Sequence, residues 1–256
     1  MTVNQKKARV ILVTGGSRGL GRATALEAAR GGYDVILTYN SNRTAAAEVA
    51  DEINAMGRQS AILQLDTGDF GTLKTFVGEV DAKLRAFDAA ALYGLINNAG
   101  IGLGAPIESS SEELFDQLFN IHFKSVFFLT QLLLPRIEDG GRIINISSGL
   151  ARVSMPGYSI YGSAKAAIET FTKFLAREVG ARQITANVVA PGGLETDFGG
   201  GALRDVPEVN QLIASHTALG RAGLAEDVAP VIVGLLGEGH RWVSGQRIEV
   251  SGGWYL

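Results

Sequence analysis

The 256-residue sequence predicts an α/β fold, in which a single doubly wound parallel sheet carries helices on both faces. Three observations predict it. Short β-branched runs alternate with longer helical patterns, which favours parallel strands joined by right-handed crossovers. The strand runs are apolar on both faces, as strands buried between two helix layers are. The alternation continues without a linker, so residues 1–256 are interpreted as a single domain.

Seven strands are predicted, each a short apolar run beside turn-forming residues. In chain order they are Val10–Val13, Val35–Thr38, Ala61–Leu65, Leu92–Asn97, Arg142–Ile146, Thr185–Ala190 and Arg247–Val250. The clearest helical windows between them are Gly19–Arg30, Thr44–Met56, Phe70–Arg85, Glu112–Ile137 and Ser163–Gly180. In the last window, apolar residues at spacings of four, three and four share one helix face: Ala164, Ile168, Phe171 and Leu175.

One segment departs from this alternation. From Gly192 to Gly223 the sequence has little strand character, follows a predicted strand end and contains the run Gly199–Gly201. Long irregular segments at strand ends often carry binding functions. We therefore expect a mobile substrate lid at about residues 193–223.

Composition and charge exclude several function classes. The formal net charge is −3, from 23 basic and 26 acidic residues without a basic block, so nucleic-acid binding has no electrostatic support. The absence of cysteine excludes thiolate chemistry, Cys-ligated zinc, iron–sulfur clusters and disulfides. His216 and His240 have no partners at metal-ligand spacing, and no metal site is predicted. No signal peptide and no apolar run of ~18 residues is visible, so we expect a cytoplasmic protein without membrane association.

The first chemical motif is a glycine-rich turn after the first strand, Thr14-Gly15-Gly16-Ser17-Arg18-Gly19-Leu20-Gly21. A helix that begins near Gly19 would place its positive end and its free backbone N–H groups beside this turn, which is the geometry of a pyrophosphate site. Thr24 stands where the third glycine of G-x-G-x-x-G belongs, so the spacing is T-G-x-x-x-G-x-G instead. Alone, this motif is equally compatible with an ordinary strand–helix turn.

That spacing resembles the short-chain dehydrogenase/reductase family, and four further segments agree with it in order. They are Asn97-Asn98-Ala99-Gly100, Ser148 with the Y-x-x-x-K segment Tyr161-Gly162-Ser163-Ala164-Lys165, Pro191-Gly192 with Thr196, and the tail from Gly245 to Gly253. The resemblance covers nearly the entire chain and is closest to the 3-oxoacyl-acyl carrier protein reductase group. It implies a Rossmann-like fold and a nicotinamide cofactor.

The resemblance also implies which residues hold that cofactor. They are Gly15, Ser17, Arg18, Gly19, Leu20 and Gly21 in the turn, Asn40 and Ser41 after the second strand, Asp66 and Thr67 after the third, Asn98, Ala99 and Gly100 after the fourth, Tyr161 and Lys165, and then Pro191, Gly192, Leu194 and Thr196. Among them, Asp66 matches the family position that accepts a hydrogen bond from the adenine amino group.

The end of the second strand predicts the cofactor type. An NAD site places an acidic residue there to hold the ribose 2′-hydroxyl. Here no acid occurs between Thr38 and Glu48, and Asp34 precedes the strand, at the wrong end of the sheet. A 2′-phosphate would find Arg18 from the glycine-rich turn and the donors of Asn40 and Ser41, with Arg43 as a further candidate. Arginine binds phosphate through paired charge-assisted hydrogen bonds. The sequence therefore predicts NADP(H) rather than NAD(H).

Tyr161 and Lys165 lie one helical turn apart and therefore on one helix face. A nearby positive charge favours a phenolate, so Lys165, together with the positive nicotinamide of the oxidised complex, is expected to lower the pKa of Tyr161 from about 10. Ser148 can donate a hydrogen bond to a substrate oxygen. These three residues suit protonation of a ketone oxygen during hydride transfer. Tyr158 lacks this arrangement, because Gly162 stands four residues further on.

His122 departs from the family pattern, because it stands where the family's fourth catalytic residue, an asparagine, belongs. Two roles stay open for its imidazole: a neutral, local hydrogen-bonding group, or a titrating member of a proton relay with Lys165. The first is favoured, because a protonated imidazole beside a charged lysine carries an electrostatic penalty.

These predictions combine into an NADP(H)-dependent oxidoreductase that transfers a hydride between nicotinamide and a ketone or secondary alcohol, physiologically a 3-oxoacyl-type carbonyl reductase. Sugar, steroid or small-alcohol dehydrogenases would use the same central residues and stay open, as does a non-catalytic dinucleotide-binding sensor. A sensor or a Rossmann-like methyltransferase would need no acid–base set, which disfavours both.

An oligomer is also expected. The consecutive apolar residues Val126–Leu129 point all round the predicted helix Glu112–Ile137 and cannot all face the sheet. The family resemblance implies a homotetramer or homodimer built on this helix and on Ser163–Gly180, with closed two-fold symmetry.

Overall fold

Seven parallel strands form one sheet in the computed structural model, which describes residues 9–256. The strands are β1 Val10–Val13, β2 Asp34–Tyr39, β3 Ser60–Gln64, β4 Leu92–Asn97, β5 Ile137–Ile146, β6 Thr185–Pro191 and β7 Arg247–Val250. They lie in the order β3-β2-β1-β4-β5-β6-β7, so the order reverses between β1 and β4. This confirms the predicted doubly wound, Rossmann-like sheet. In such sheets ligands bind at the carboxyl ends of the strands, beside the reversal.

Nine α-helices connect or follow these strands within the described residues. They are α1 Gly19–Arg30, α2 Arg43–Ala55, α3 Leu73–Ala86, α4 Glu112–Phe119, α5 Ser125–Leu133, α6 Ser159–Val179, α7 Ala202–Asp205, α8 Pro207–Ser215 and α9 Ala225–Leu236. Helix α6 begins four residues before its predicted start at Ser163, so Tyr161 lies in its first turn.

The single helix predicted over Glu112–Ile137 is wrong in two respects. A π-helical turn, Asn120–Lys124, separates α4 from α5. The helical path then ends in a 3₁₀ turn, Leu134–Arg136, and β5 begins at Ile137. Pro135 lies in this last turn, and proline cannot supply the backbone N–H that a continuing helix needs. The polar start of β5 carried no strand signal in the sequence.

Apolar side chains are buried on both faces of the sheet, as the strand patterns predicted. On β1, Ile11 and Val13 join the cluster that packs under α1, α2 and α9, while Val10 and Leu12 join the cluster under α3, α5 and α6. The alternation follows from the period-two geometry of a strand. Because both layers are buried, the sheet fixes where its carboxyl edge and the loops on that edge lie.

The segment predicted as a lid is not irregular throughout. It contains a 3₁₀ turn, Phe198–Gly201, followed by α7 and α8. Gly199, Gly200 and Gly201 all have positive φ, between 63° and 78°, which explains why glycine occurs three times in succession. Its mobility, and the single-domain interpretation of residues 1–256, stay predictions.

By length and composition alone, one helical segment of the described chain, Glu112–Arg136, could cross a membrane. Its polar residues are interspersed, which is why no uninterrupted apolar run marks it in the sequence. The indication is weak, because core helices of soluble proteins have the same composition. In this fold the segment contributes Leu129 and Leu133 to the core beneath the sheet.

Candidate active site

The glycine-rich turn is held in place by the ends of β2 and β4. Gly15, at φ +65°, donates its N–H to Thr38 Oγ1 at 3.0 Å. Asn98 Nδ2 donates to the carbonyls of Thr14 and Gly15 at 2.9 and 3.2 Å. A Cβ on Gly21 would lie 2.1 Å from the Gly15 carbonyl oxygen, so only glycine fits there. The turn is therefore rigid, and the hydrogen bonds from the Asn98 amide stabilise it.

Helix α1 begins at Gly19, where the sequence places it. Arg18 precedes it with extended backbone, and no side chain caps the first turn. The uncapped N–H groups and the positive helix end face the glycine-rich turn, which is the arrangement that binds a pyrophosphate. Thr196 from the lid lies 3.4 Å from the Cβ position of Gly19, so two predicted cofactor contacts meet here. These residues fit a dinucleotide.

The region after β2 suits a phosphate better than a hydroxyl. Arg18 and Arg43 are exposed, and within residues 9–256 neither side chain has a hydrogen-bond or ion-pair partner. Asp34 lies at the opposite end of β2, where it accepts from Arg58 Nε at 3.0 Å and from the Gln59 N–H at 2.7 Å. The carboxylate of Asp34 is therefore remote from the end of β2, where Arg18 and Arg43 stay predicted partners of a 2′-phosphate.

The other predicted cofactor residues follow strand ends on the same edge of the sheet. Asp66 is exposed after β3 and accepts from the Gly68 N–H at 2.8 Å. Leu194 forms an isolated parallel bridge with Gly223, which joins the two ends of the lid. Leu20 lies in the first turn of α1, and Pro191 ends β6. The remainder lie in the segments after β1, β2, β3, β4 and β6: Ser17, Asn40, Ser41, Thr67, Ala99, Gly100 and Gly192.

The predicted catalytic groups meet where β5 ends and α6 begins. Ser148 follows β5, and its Oγ accepts from the Leu150 N–H at 3.1 Å. Lys165 is buried, and its Nζ donates to the Ile146 carbonyl at 2.8 Å. Burial lowers the pKa of Lys165 to about 8. The sheet edge and one helix turn thus place a hydroxyl, a phenol and an ammonium together.

Among the chain's own groups, burial raises the pKa of the Tyr161 phenol, and a hydrogen bond with Ser148 opposes the rise only in part. The predicted lowering of this pKa concerns Lys165 together with the positive nicotinamide of the oxidised complex, and it stays a prediction. The Lys165 Nζ lies 5.7 Å from the centre of the Tyr161 ring and donates to the backbone instead. Burial removes water from the charged phenolate, and this raises the pKa of Tyr161 by more than the hydrogen bond with Ser148 lowers it. Tyr161 is therefore held as a protonated acid.

His122 is buried in the π-helical turn between α4 and α5. Its ring meets the Tyr161 ring edge to face, with centroids 5.0 Å apart. Burial and the charge of Lys165 lower the pKa of His122 to about 3. The imidazole is therefore neutral near physiological pH, which agrees with the favoured of the two roles.

A buried polar network beneath the site was missed by the sequence analysis. Asn97 Nδ2 donates to Asn145 Oδ1 at 2.8 Å and to Thr130 Oγ1 at 3.0 Å, and Asn145 Nδ2 donates to Thr172 Oγ1 at 2.9 Å. The network joins β4 and β5 to α5 and α6. Its signal in the sequence is an asparagine inside the apolar run of β5, since buried polar groups need partners.

A second missed cluster lies behind Ser148. Glu169, one helical turn after Lys165, accepts from Ser147 Oγ at 2.8 Å and from Arg247 Nε at 2.7 Å. Arg247 lies on β7, so this half-buried pair attaches the last strand to the start of the site. Sequence reasoning could not find it, because the partners are 78 residues apart.

The entrance to the site is aromatic and apolar. The lid residue Phe198 packs on Tyr161, with ring centroids 6.0 Å apart, and Tyr158 lies on the other side at 6.4 Å. A Cβ on Gly102 would lie 2.7 Å from the Phe198 ring, so the lid contacts the loop after β4. Beyond Tyr158 is an open cavity of about 980 Å³, lined by residues of the loops at 104–108 and 150–159 and of α6.

No group of three or more His, Asp or Glu side chains within residues 9–256 is arranged to hold a metal ion.

Comparison with known proteins gives matches over nearly the entire chain. A family model described as enoyl-(acyl carrier protein) reductase matches residues 15–255. The hydroxynaphthalene reductase-like protein Arp2 of Metarhizium brunneum is 34% identical and is matched over 96% of this chain and 94% of its own. An NADPH-dependent aldehyde reductase-like protein, chloroplastic, of Arabidopsis thaliana is 37% identical with the same coverage of 96% and 94%.

Solved structures agree with these relatives. The angucycline C-6 ketoreductase LanV with bound NADP superposes with a TM-score of 0.92 at 35% identity, over 96% of this chain and 95% of its own. The promiscuous reductase LugOII, which catalyses keto-reduction at C1 during lugdunomycin biosynthesis, superposes with a TM-score of 0.91 at 36% identity, over 97% and 98%.

Proposed function

The chain belongs to the short-chain dehydrogenase/reductase family, and from this premise we propose that it is an NADP(H)-dependent carbonyl reductase. The observation that carries the proposal is the meeting of Ser148, Tyr161 and Lys165 beside the rigid glycine-rich turn. A dinucleotide-binding sensor would need the turn alone. Both relatives described above are reductases by name, and one of the superposed structures holds NADP.

When bound, NADPH would supply the hydride. Tyr161 donates its phenolic proton to the ketone oxygen, and burial raises the pKa of that phenol, so that it holds a proton to donate at neutral pH. Ser148 donates a hydrogen bond to the same oxygen as negative charge develops. Lys165 remains largely charged at neutral pH and stabilises the phenolate that forms. As pH rises through about 8, Lys165 loses its proton and reduction slows.

The substrate that we propose is an apolar ketone. Phe198 and Tyr158 line the entrance with aromatic rings, and Leu103 beside them is 41% exposed. A sugar would leave its hydroxyl groups without partners against such a wall, at a cost of about 1–3 kcal/mol for each unsatisfied group. Fused-ring aromatic ketones, of the kind that the relatives' names indicate, and 3-oxoacyl thioesters, which the sequence resemblance implies, both satisfy this requirement.

A substrate panel tests the proposal. Fused-ring ketones, 3-oxoacyl thioesters, a 3-keto sugar and a steroid ketone are each assayed with NADPH and with NADH, following cofactor absorbance. We expect apolar ketones to be reduced, with kcat/KM higher for NADPH. NADPH binding without turnover of any member of the panel would favour the sensor, and a higher kcat/KM with NADH would contradict the cofactor assignment.

We also propose that the chain forms a homotetramer or homodimer through α4, α5 and α6. Phe127 and Phe128 on α5 are exposed by 36% and 39%, and Phe174 on α6 by 65%. Exposed apolar surface of this kind favours a protein partner. Sedimentation at micromolar concentration is expected to give a dimer or tetramer, and a stable monomer of 27.0 kDa would contradict this. The cytoplasmic location stays a prediction.

A further inference from the structure

The imidazole of His122 is packed between the Tyr161 ring and the loop that follows β4. A Cβ built on Gly100 in that loop would lie 2.7 Å from His122 Cε1 and 3.1 Å from Nδ1. The next atom that it would meet is the Asn98 carbonyl oxygen, at 3.9 Å. Gly100 does not have a positive φ, so its backbone would accept alanine. The imidazole is therefore the close neighbour that excludes a side chain at this position.

The hydrogen bonds of the ring define its tautomer. Nε2 lies 2.8 Å from the Ile101 carbonyl oxygen and 3.4 Å from the Ile101 backbone nitrogen. One ring nitrogen cannot donate and accept at once, and the shorter contact requires an N–H on Nε2. Nδ1 is then an unprotonated acceptor. It is buried and has no hydrogen-bond partner within the described residues.

The surroundings keep the ring neutral. Lys165 is the charged group whose field acts on it, and Tyr161 meets it with an aromatic face. A proton on Nδ1 would add a second buried positive charge next to Lys165 without an acceptor to receive its hydrogen bond. Both effects favour the neutral ring.

We propose that His122 is a positioning residue that acts as a neutral spacer, and that His122 and Gly100 form one sterically matched pair. The Nε2–H donates to the Ile101 carbonyl, Cε1 and Nδ1 lie next to Gly100, and the imidazole packs at right angles to the Tyr161 ring. The pair thereby sets the distance between the cofactor-binding loop after β4 and the catalytic phenol. His122 exchanges no proton in this role. The inference rests on the proposed function for its catalytic consequence, but its structural content does not depend on turnover.

A double-mutant cycle tests the matched pair. In the parent protein, Gly100→Ala should raise the Kd for NADPH and lower kcat at least tenfold, because the new methyl group displaces the imidazole or the loop. In a His122→Asn background, where the side chain at position 122 is smaller, Gly100→Ala should change the Kd for NADPH and kcat by less than threefold. Gly78→Ala is the matched control, since nothing lies within 4 Å of its Cβ position. Equal costs of Gly100→Ala in both backgrounds would overturn the inference.

The tautomer is measured on the unaltered protein. With ¹⁵N-histidine labelling, and with His122→Asn to assign the signal, we expect the Nε2–H form and no titration between pH 5 and 9. Titration of His122 within that range would overturn the neutral role. NADPH affinity and the ¹⁵N chemical shifts of His122 are measured without substrate. If the proposed function fails, no ketone is reduced, but the effect of Gly100→Ala on NADPH affinity still depends on His122. If the inference fails, that dependence is absent whether or not a ketone is reduced.

Discussion

The glycine-rich turn and the lid face each other across the same site, but different forces hold them. The turn is fixed by backbone hydrogen bonds and by the Asn98 amide, in a space where no methyl group fits at Gly21. The base of the lid is held by backbone hydrogen bonds, from the Gly223 N–H to the Gly193 carbonyl and from the Glu195 N–H to the Gly223 carbonyl, both at 2.9 Å. Its tip is held by exposed ion pairs, in which Arg204 contacts Asp197 and Asp205, and by the contact of Phe198 with Tyr161. Exposed ion pairs contribute little free energy. The glycine-rich turn and the strand ends that hold it thus form a closely packed frame, whereas the tip of the lid is held by weaker contacts, and its mobility stays a prediction.

Alanine substitutions of one glycine in the glycine-rich turn and one in the lid should have the most different effects on NADPH binding. Gly21→Ala is expected to raise the Kd for NADPH at least a hundredfold, because its Cβ would lie 2.1 Å from the Gly15 carbonyl oxygen. Gly200→Ala meets no atom within 4 Å and strains only the local backbone, so the Kd should stay within threefold. Fluorescence titration of NADPH measures both. Equal losses would contradict the contrast between frame and lid.

The side chain of Arg18 should affect one cofactor and not the other. We expect Arg18→Ala to lower kcat/KM for NADPH by about 10- to 100-fold, the range of a lost charge-assisted hydrogen bond, and to leave NADH nearly unchanged. Arg30→Ala on the same helix is the control, because Arg30 pairs with Glu27 on the exposed surface. An equal loss with both cofactors would mean that Arg18 does not read the 2′-phosphate.

On the lid side, Phe198→Ala should raise KM for an apolar ketone by about three- to tenfold and leave the NADPH Kd unchanged. The reason is the loss of about 1 kcal/mol of apolar contact from a ring that is already half exposed. Leu219→Ala, at a residue that is 72% exposed, is the control. A change in NADPH affinity without a change in KM would place Phe198 on the cofactor side instead.

The smallest effect concerns stability and pH. The pKa of His122 is about 3 when folded and about 6.5 when unfolded, so the unfolded chain binds the proton more tightly. Stability is complete above pH 6.5 and falls by about 1.4 kcal/mol per unit as pH decreases towards 3. His122→Asn should remove this slope, whereas His216→Asn, on the exposed end of the lid, should not. Urea unfolding at pH 7.5, 6 and 5 measures it, and identical slopes in parent and His122→Asn would contradict the assignment.

The strands and the glycine-rich turn could be predicted from the sequence, because apolar runs and glycine spacing are local patterns. The apolar runs of β1, β4 and β7 coincide with the observed strands to the residue. The glycine spacing placed the start of α1 correctly, and motif order gathered Ser148, Tyr161 and Lys165 at one sheet edge.

What could not be predicted depends on tertiary burial. The π-helical turn Asn120–Lys124 interrupts a pattern that is helical on both sides of it, so local periodicity does not reveal it. The rise that burial imposes on the pKa of Tyr161 was not foreseen, because spacing along a helix indicates a neighbouring charge but not how much water is removed from the phenol. The pair of Gly100 and His122 joins two segments 22 positions apart and is visible only in the packed structure.

We propose that Tyr161 protonates a ketone oxygen during hydride transfer from NADPH. The decisive experiment is single-turnover reduction of an apolar ketone by the NADPH-loaded protein, with Tyr161→Phe compared with Tyr158→Phe, because each change removes one hydroxyl from one of two neighbouring rings. We expect Tyr161→Phe to lower the hydride-transfer rate at least about a hundredfold, the range of a general acid, and Tyr158→Phe to lower it less than threefold. A Tyr161→Phe protein that transfers hydride within threefold of the parent rate would show that Tyr161 is not the proton donor.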